Sequence, residues 1–256
     1  MAPTTVDGLD IDGATIDGNV VDEITMDGDV VFTRVPDIPD IAIHHWDFEG
    51  ASASGTAPDL IGDADLDLNG EEVSTHDGRS DAFRTEGVNG PSNWDDPDHG
   101  YTGGISLSGG YTFSIELWFW FDSSQPGSSP RGAPTLTTDI PGDSRDGIIT
   151  RDVGDHRWEG DNSDNWRIET NDNRNEWVHH VLVSDGDDAI VYTNGSEDER
   201  TSLSDYNEET DQWTDFSVGN GPGTSDGIAG WFDNIIIYDD ALSQSEVLER
   251  YEATNY

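Results

Sequence analysis

The chain has 256 residues, 55 acidic against 11 basic side chains, a formal net charge of -44 and no cysteine. Every basic residue is an arginine. Such a balance excludes a nucleic-acid partner, whose phosphates must be met by clustered cations, and the lack of cysteine excludes a disulfide framework, a thiolate metal site and a thiol nucleophile.

The length admits one large domain or two unequal ones. About one net negative charge per six residues opposes collapse, and hydrophobic content is only 32%. Against disorder stand nine Trp, eight Phe and seven Tyr in short alternating runs, the material of twisted sheets. Molar salt cuts the Debye length to about 3 Å and removes most of the repulsion between surface carboxylates. The composition reads as that of a folded, halophilic protein.

In chain order, residues 4–35 repeat an apolar-Asp-Gly unit at Val6-Asp7-Gly8, Ile11-Asp12-Gly13, Ile16-Asp17-Gly18 and Met26-Asp27-Gly28. Asp-Gly between β-branched residues is a turn signal, so the spacing predicts a string of very short strands. These bury little alone, which predicts docking on the main domain or on a partner chain, with a flexible acidic leader as the alternative. The N-terminus shows no basic n-region or apolar h-region, and no stretch approaches a membrane span. The chain is therefore expected to carry no signal peptide and to enter no membrane. Pro36 and Pro39 hold the chain extended, placing a boundary between a β-rich docking or oligomerisation segment at 1–40 and a main domain at 41–256.

From Ile41 onward, short strands separated by turn clusters predict an all-β sandwich. The clearest strand runs from Tyr111 to Asp122, where Phe113, Ile115, Leu117, Phe119 and Phe121 share the core face because side chains alternate with period two. The opposite face carries Ser114, Glu116, Trp118, Trp120 and Asp122. It is too aromatic for a solvated surface and too polar for a second core, which predicts a ligand platform or an interface. A hairpin is predicted between Trp177–Ser184 and Ala189–Thr193, with Asn194-Gly195 as the next turn. Trp231–Tyr238 is the last strong strand. Ser243 as N-cap, Glu246 as its capping-box partner, and Leu242 stapled against Val247 predict a short closing helix.

The order of these blocks resembles the laminin-G-like, concanavalin A-type jelly roll over residues 43–256. The opening strand is similar to His45-Trp46-Asp47-Phe48-Glu49-Gly50, followed by an Asp-rich turn at Asp59-Leu60-Ile61-Gly62-Asp63. The second block is Phe113-Ser114-Ile115-Glu116-Leu117-Trp118, ending at Asp122. The third is Trp177-Val178-His179 with Asp185-Gly186 and Tyr192-Thr193-Asn194-Gly195, and the fourth runs from Gly230 to Tyr238 and into Ala241-Leu242-Ser243. The resemblance implies a two-sheet jelly-roll sandwich with a short C-terminal helix. It implies a fold of glycan-binding and adhesive domains that some glycosidases share. The Asp-Gly-rich leader resembles those of virion and tail-associated proteins of haloarchaeal viruses, and a particle assembled in the cytoplasm would place a lectin-like domain outside the cell without an export signal.

Glycosidases of this fold set two or three carboxylates close together on one sheet. Here Trp118 and Trp120 follow Glu116 on the same face, and Asp122 lies about 20 Å further along the strand, at about 3.3 Å per residue. Binding is expected, not catalysis. Glu116, Trp118 and Trp120 are the candidate ligand residues: indole rings stack on sugar C–H faces while the carboxylate accepts from hydroxyls. Cover by the leader or by another subunit is the alternative. Trp94, Trp158 and Trp166 fall in polar stretches read as loops and are expected to pack at edges, with a place on the rim of the same site as the alternative. The resemblance implies a calcium site tying first and last strands, with Asp47 or Glu49, Asp59 and Asp233 as ligands. His44-His45 and His179-His180 are not expected to chelate, since adjacent strand residues point to opposite faces, and by the resemblance His179 is a packed core histidine.

These readings together describe a homo-oligomeric surface or tail-fibre-type virion protein. It would contact other virion proteins through residues 1–40 and a host cell-surface glycan or glycoprotein through its main domain. A capsid decoration or turret protein without a receptor role is the alternative, followed by a polysaccharide hydrolase or a cellular adhesin.

Overall fold

The computed structural model describes residues 38–51, 55–68, 73–86, 100–108, 111–122, 175–203, 214–219 and 229–255, together with the further strands named below. Two hairpins come first: β1 (Thr15–Ile16) pairs with β2 (Asn19–Val20), and β3 (Glu23–Met26) with β4 (Asp29–Thr33). Then follow β5 (Ala42–Trp46), β6 (Thr56–Ala57), β7 (Leu66–Asp67), β8 (Val73–His76), β9 (Arg79–Glu86), β10 (Gly100–Gly103) and β11 (Thr112–Phe121). A meander of β12 (Arg131–Thr137), β13 (Gly147–Asp152), β14 (His156–Gly160) and β15 (Trp166–Glu169) leads to β16 (Val178–Asp185), β17 (Asp188–Thr193) and β18 (Ser196–Ser202). The chain ends with β19 (Asp215–Val218), β20 (Ala229–Tyr238) and the helix α1 (Gln244–Thr254).

The later strands form two eight-stranded antiparallel sheets, which is the β-sandwich expected from the sequence. One runs β18-β17-β16-β11-β20-β9-β8, with β5 also paired to β20, and the other runs β15-β14-β13-β12-β19-β10-β7-β6. Trp158 and Trp166 thus lie in β14 and β15, not in loops, because four short strands here pair in succession. Trp94 lies outside the described residues.

Period-two alternation along β11 sends Phe113, Ile115, Leu117, Phe119 and Phe121 into the core between the sheets. Trp46 from β5 stacks on Phe216 from β19 with centroids 5.1 Å apart, and its indole N–H donates to the Ala64 carbonyl at 2.9 Å. One side chain therefore ties the first sheet to the second and to the loop beside it. Full burial of each such ring contributes about 2–3 kcal/mol.

Turns follow their sequence signals. In the β16–β17 hairpin the Asp185 carboxylate accepts from the N–H groups of Asp187 and Asp188, and Gly186 takes φ +93. Between β17 and β18, Asn194 and Gly195 take φ +51 and +77, the left-handed pair that a tight hairpin requires. A Cβ at Gly195 would press on Leu248 and Tyr251 of α1, so this turn is also where the closing helix lies down. The helix starts as predicted, with reciprocal bonds between Ser243 and Glu246 at its N-cap.

β20 organises the first sheet. One edge pairs with β11; the other is shared by β9 from Ala229 to Phe232 and by β5 from Ile235 onward. Between these stretches the register slips opposite Glu116 and Trp118, and Asn234 takes φ +47. This bulge turns Asp233 and Asn234 toward the helix side, where Asp233 meets Arg79 and Asn234 Oδ1 lies 3.3 Å from His45 Nε2.

Candidate functional site

The outer face of β11 was read as a ligand platform or an interface. In the structure its Ser114, Glu116 and Trp118 belong to a second core that α1 covers. Glu116 is 0% and Trp118 2% exposed. The apolar part of this core joins Val181, Val183, Ile190, Tyr192, Ile236 and Tyr238 to Leu242 and Val247 at the helix start. Its polar part is gathered around Glu116. That carboxylate accepts from the Tyr238 hydroxyl, lies 3.1 Å from His179 Nε2, and accepts from Arg250 Nε of α1 at 3.2 Å.

Burial pushes the Glu116 carboxyl up. The His179 bond, the charges of Arg250 and His179, and the Tyr238 bond outweigh it and hold the pKa at about 2. A second lock sits beside it. Arg79 donates to Asp233 at 2.8 Å and to the Thr254 carbonyl at 2.7 Å, with its guanidinium 3.8 Å above the Trp118 ring. Trp118 Nε1 donates to Thr254 Oγ1 at 2.9 Å. Burial raises the Asp233 pKa against the opposing pull of Arg79. Two of the chain's eleven arginines are thus spent under one helix. Breaking a buried pair of this kind costs about 3–5 kcal/mol.

Trp120 is separated from Glu116 and Trp118 and belongs to a different cluster at the end of β11. Its ring meets Trp231 edge-on at 5.0 Å and His76 edge-on at 4.4 Å. His76 stacks on Trp231 at 3.6 Å and an interplanar angle of 5°. Trp177 sits 6.1 Å from His76 and donates its indole N–H to the His76 carbonyl at 3.0 Å. The Arg84 guanidinium lies 5.6 Å from the Trp231 ring. All four rings are half-buried. Burial lowers the His76 pKa, helped by Arg84 and opposed by Asp77 and Asp122.

The β8–β9 turn, where Asp77 and Gly78 take φ +43 and +95, builds this cluster by delivering His76 to the rings and Arg79 to the helix lock. Neither this turn nor His76 is among the features read from the sequence.

The four acids expected to hold calcium are not brought together. Asp59 Oδ2 lies 2.6 Å from His44 Nδ1, and the Asp59 carboxylate also accepts from the N–H groups of His45, Ile61, Gly62 and Ala64. Burial pushes Asp59 up, but the bonds from His44, His45, Gly62 and Ala64 outweigh it and lower its pKa. Asp233 is paired with Arg79. Asp47 accepts from the Glu49 N–H. Glu49 accepts from Ser80, which favours its anion, while burial and the neighbouring Asp81 and Asp47 raise its pKa overall. Among the described residues no three His, Asp or Glu side chains are arranged to hold a metal ion. Asp59 and Asp233 do not fit calcium, because oxygens saturated by N–H groups and a guanidinium are not free to ligate.

The histidines separate as period two requires: His44 faces Asp59 and His45 faces Asn234, while His179 faces Glu116 and His180 meets Phe119 in the core.

Residues 95–248 match the Laminin_G_3 family, described as the concanavalin A-like lectin/glucanases superfamily. The chain belongs to that superfamily. Among solved structures it is similar to Trypanosoma rangeli sialidase in complex with sialic acid, with a TM-score of 0.62 and 14% identity over 92% of this chain and 36% of that one. It is also similar to the botulinum neurotoxin serotype D ligand binding domain in complex with N-acetylneuraminic acid, with a TM-score of 0.63 and 12% identity over 84% of this chain and 51% of that one. The chain therefore spans about a third of the sialidase and half of the neurotoxin domain. At these identities the likeness is one of fold. No match was found among curated proteins. Among the described residues no helix is long and apolar enough to cross a membrane.

Proposed function

We propose that the chain is a lectin-like binding module on the surface or tail of a haloarchaeal virus particle, attaching to a host glycan or glycoprotein without catalysing a reaction. The observation that carries this reading is the half-exposed cluster of Trp120, Trp177, Trp231 and His76 at one end of the first sheet. Flat indole faces at a rigid sheet end suit the C–H faces of sugar rings. Superfamily membership and the sialic-acid complexes of the fold neighbours support a carbohydrate as ligand. The net charge of -44 supports a salt-rich setting and disfavours an anionic sugar.

A binding role is also supported by the state of Glu116. A carboxylate held at about 2 by its neighbours and sealed under α1 is not available as a general acid. The experiment is retention of the full chain on isolated haloarchaeal envelopes in molar salt, beside Trp231→Ala. Saturable retention that Trp231→Ala abolishes, with the circular dichroism spectrum unchanged, supports receptor attachment. Equal retention of both proteins, or of neither, overturns it.

A further inference from the structure

One face of Trp231 is closed. His76 lies flat on it, with centroids 3.6 Å apart and planes 5° from parallel, so no sugar ring can stack on that face while the imidazole is there. The cover is a side chain on a fixed backbone. The His76 carbonyl accepts from the Trp177 indole N–H at 3.0 Å, and His76 pairs with Arg79 across the β8–β9 turn. The residue is half-buried, so rotation about its side-chain bonds can carry the ring into solvent and leave the backbone in place.

The stack suits a neutral imidazole only. His76 Nε2 is shielded from solvent and has no hydrogen-bond partner among the described residues. In the neutral ring with its proton on Nδ1 this atom is an idle acceptor, whereas in the imidazolium it is an N–H that carries part of the charge. A shielded, charged donor without an acceptor is the more costly of the two, and the attraction of a cation to a half-exposed indole face is smaller than that cost. The charged groups facing the ring are Asp77 in the turn, Arg84 on β9 and Asp122 after β11; the two acids favour the cation and Arg84 opposes it. Arg79 turns away to Asp233 and to the Thr254 carbonyl, and β16 and β20 bring the uncharged rings of Trp177 and Trp231. Molar salt, with a Debye length of about 3 Å, weakens these charge effects and leaves burial, the largest cause, which disfavours the cation.

We infer that His76 is an acid-released shutter, a neutral ring that covers the Trp231 face and on protonation turns out into solvent, opening that face to a sugar. This deepens the carbohydrate-binding reading and rests on it for the ligand. The covered form holds the His76 pKa below its ordinary 6.5, so the open form takes up the proton more readily. The covered form is favoured above that value and loses its advantage as pH falls, by at most about 10-fold per pH unit for one proton.

The test uses the full chain in molar salt as wild type, His76→Ala and His76→Phe, with circular dichroism confirming a common fold. Acrylamide quenching of tryptophan fluorescence reads indole exposure from about pH 8 to about pH 5, and nuclear magnetic resonance follows the imidazole signals, the His76 signal being the one absent from both variants. In the wild type, quenching is expected to rise in one step with a midpoint below 6.5, together with the His76 signal. His76→Ala, uncovered throughout, should be quenched at every pH as strongly as the acidified wild type. His76→Phe, a cover that takes no proton, should stay at the level of the neutral wild type. Retention on haloarchaeal envelopes should be about 3-fold or more stronger at the acidic end for the wild type and independent of pH for both variants.

A His76 signal that titrates above 6.5 places the cation on the stack and overturns the shutter, as does quenching with the same pH dependence in all three proteins. If Trp231→Ala still abolishes retention in either case, the carbohydrate reading stands. The expected quenching step without retention of any protein at either pH overturns the carbohydrate reading and supports the shutter.

Discussion

Glu116→Gln removes one negative charge from beneath α1 while keeping the shape of the side chain. In the folded chain the pKa of Glu116 falls from 4.5 to about 2: burial opposes ionisation, and His179, Arg250 and Tyr238 together more than repay it. A depressed folded-state pKa stabilises the fold fully above the unfolded value and loses that contribution as pH falls through the folded one. The window here runs from about 4.5 down to about 2. At about 1.4 kcal/mol per pKa unit, the ionised carboxylate is worth about 3 kcal/mol at neutral pH.

The assay is urea unfolding of both proteins in molar salt, followed by far-ultraviolet circular dichroism at a series of pH values across that window. The variant is expected to be less stable by about 3 kcal/mol near neutrality, with the gap closing as pH falls. Other carboxylates titrate in both proteins and cancel in the difference. A gap that stays constant across the window, or no gap near neutrality, would refute the assignment of Glu116 as the charged centre of the helix lock.

Other substitutions test other parts of the fold. Asp59→Ala removes the acceptor of four backbone N–H groups and of His44; a loss of about 3 kcal/mol in chemical unfolding is expected, and a loss under a third of that would show the 59–64 loop to be held by other means. At Gly230 a Cβ would press on the Trp120 carbonyl and the Phe121 ring. Gly230→Ala should therefore cost about 1–3 kcal/mol and displace Trp120 from its ring cluster, read as a change in near-ultraviolet circular dichroism. Arg200 on exposed β18 bridges Glu197 of the same strand and Asp188 of β17, so Arg200→Ala should leave the melting temperature in molar salt unchanged.

The inward face of β11, the hairpin turns and the capping box at Ser243 were legible because each rests on a local rule: period two, left-handed turn residues, or an i to i+3 bond. The outer face of β11 was misread for a physical reason. Its cover is a helix more than 100 residues away that buries only Val247, Arg250 and Thr254, so the helix does not look like a lid in sequence. Glu116 and Trp118 have the residue types of a sugar platform and are matched instead by Arg250, Tyr251 and Thr254 of the same chain.

Two of the four acids read as calcium ligands are engaged within the chain in a similar way. Asp59 and Asp233 are acids at plausible places, but backbone N–H groups and Arg79 reach them first. Trp120 was legible as a candidate, whereas its partners His76 and Trp177 arrive through the β8–β9 turn and the start of β16. The register slip at Asp233 and Asn234, which aims both at the helix side, follows from no periodicity at all.

The most direct test of the binding account is a hydrogen–deuterium exchange footprint of the full chain with and without saturating haloarchaeal envelope glycan in molar salt. The account predicts new protection at the β8–β9 hairpin and the start of β20, where His76 and Trp231 lie, and none at α1. Protection confined to α1, or to segments away from the ring cluster, would contradict it.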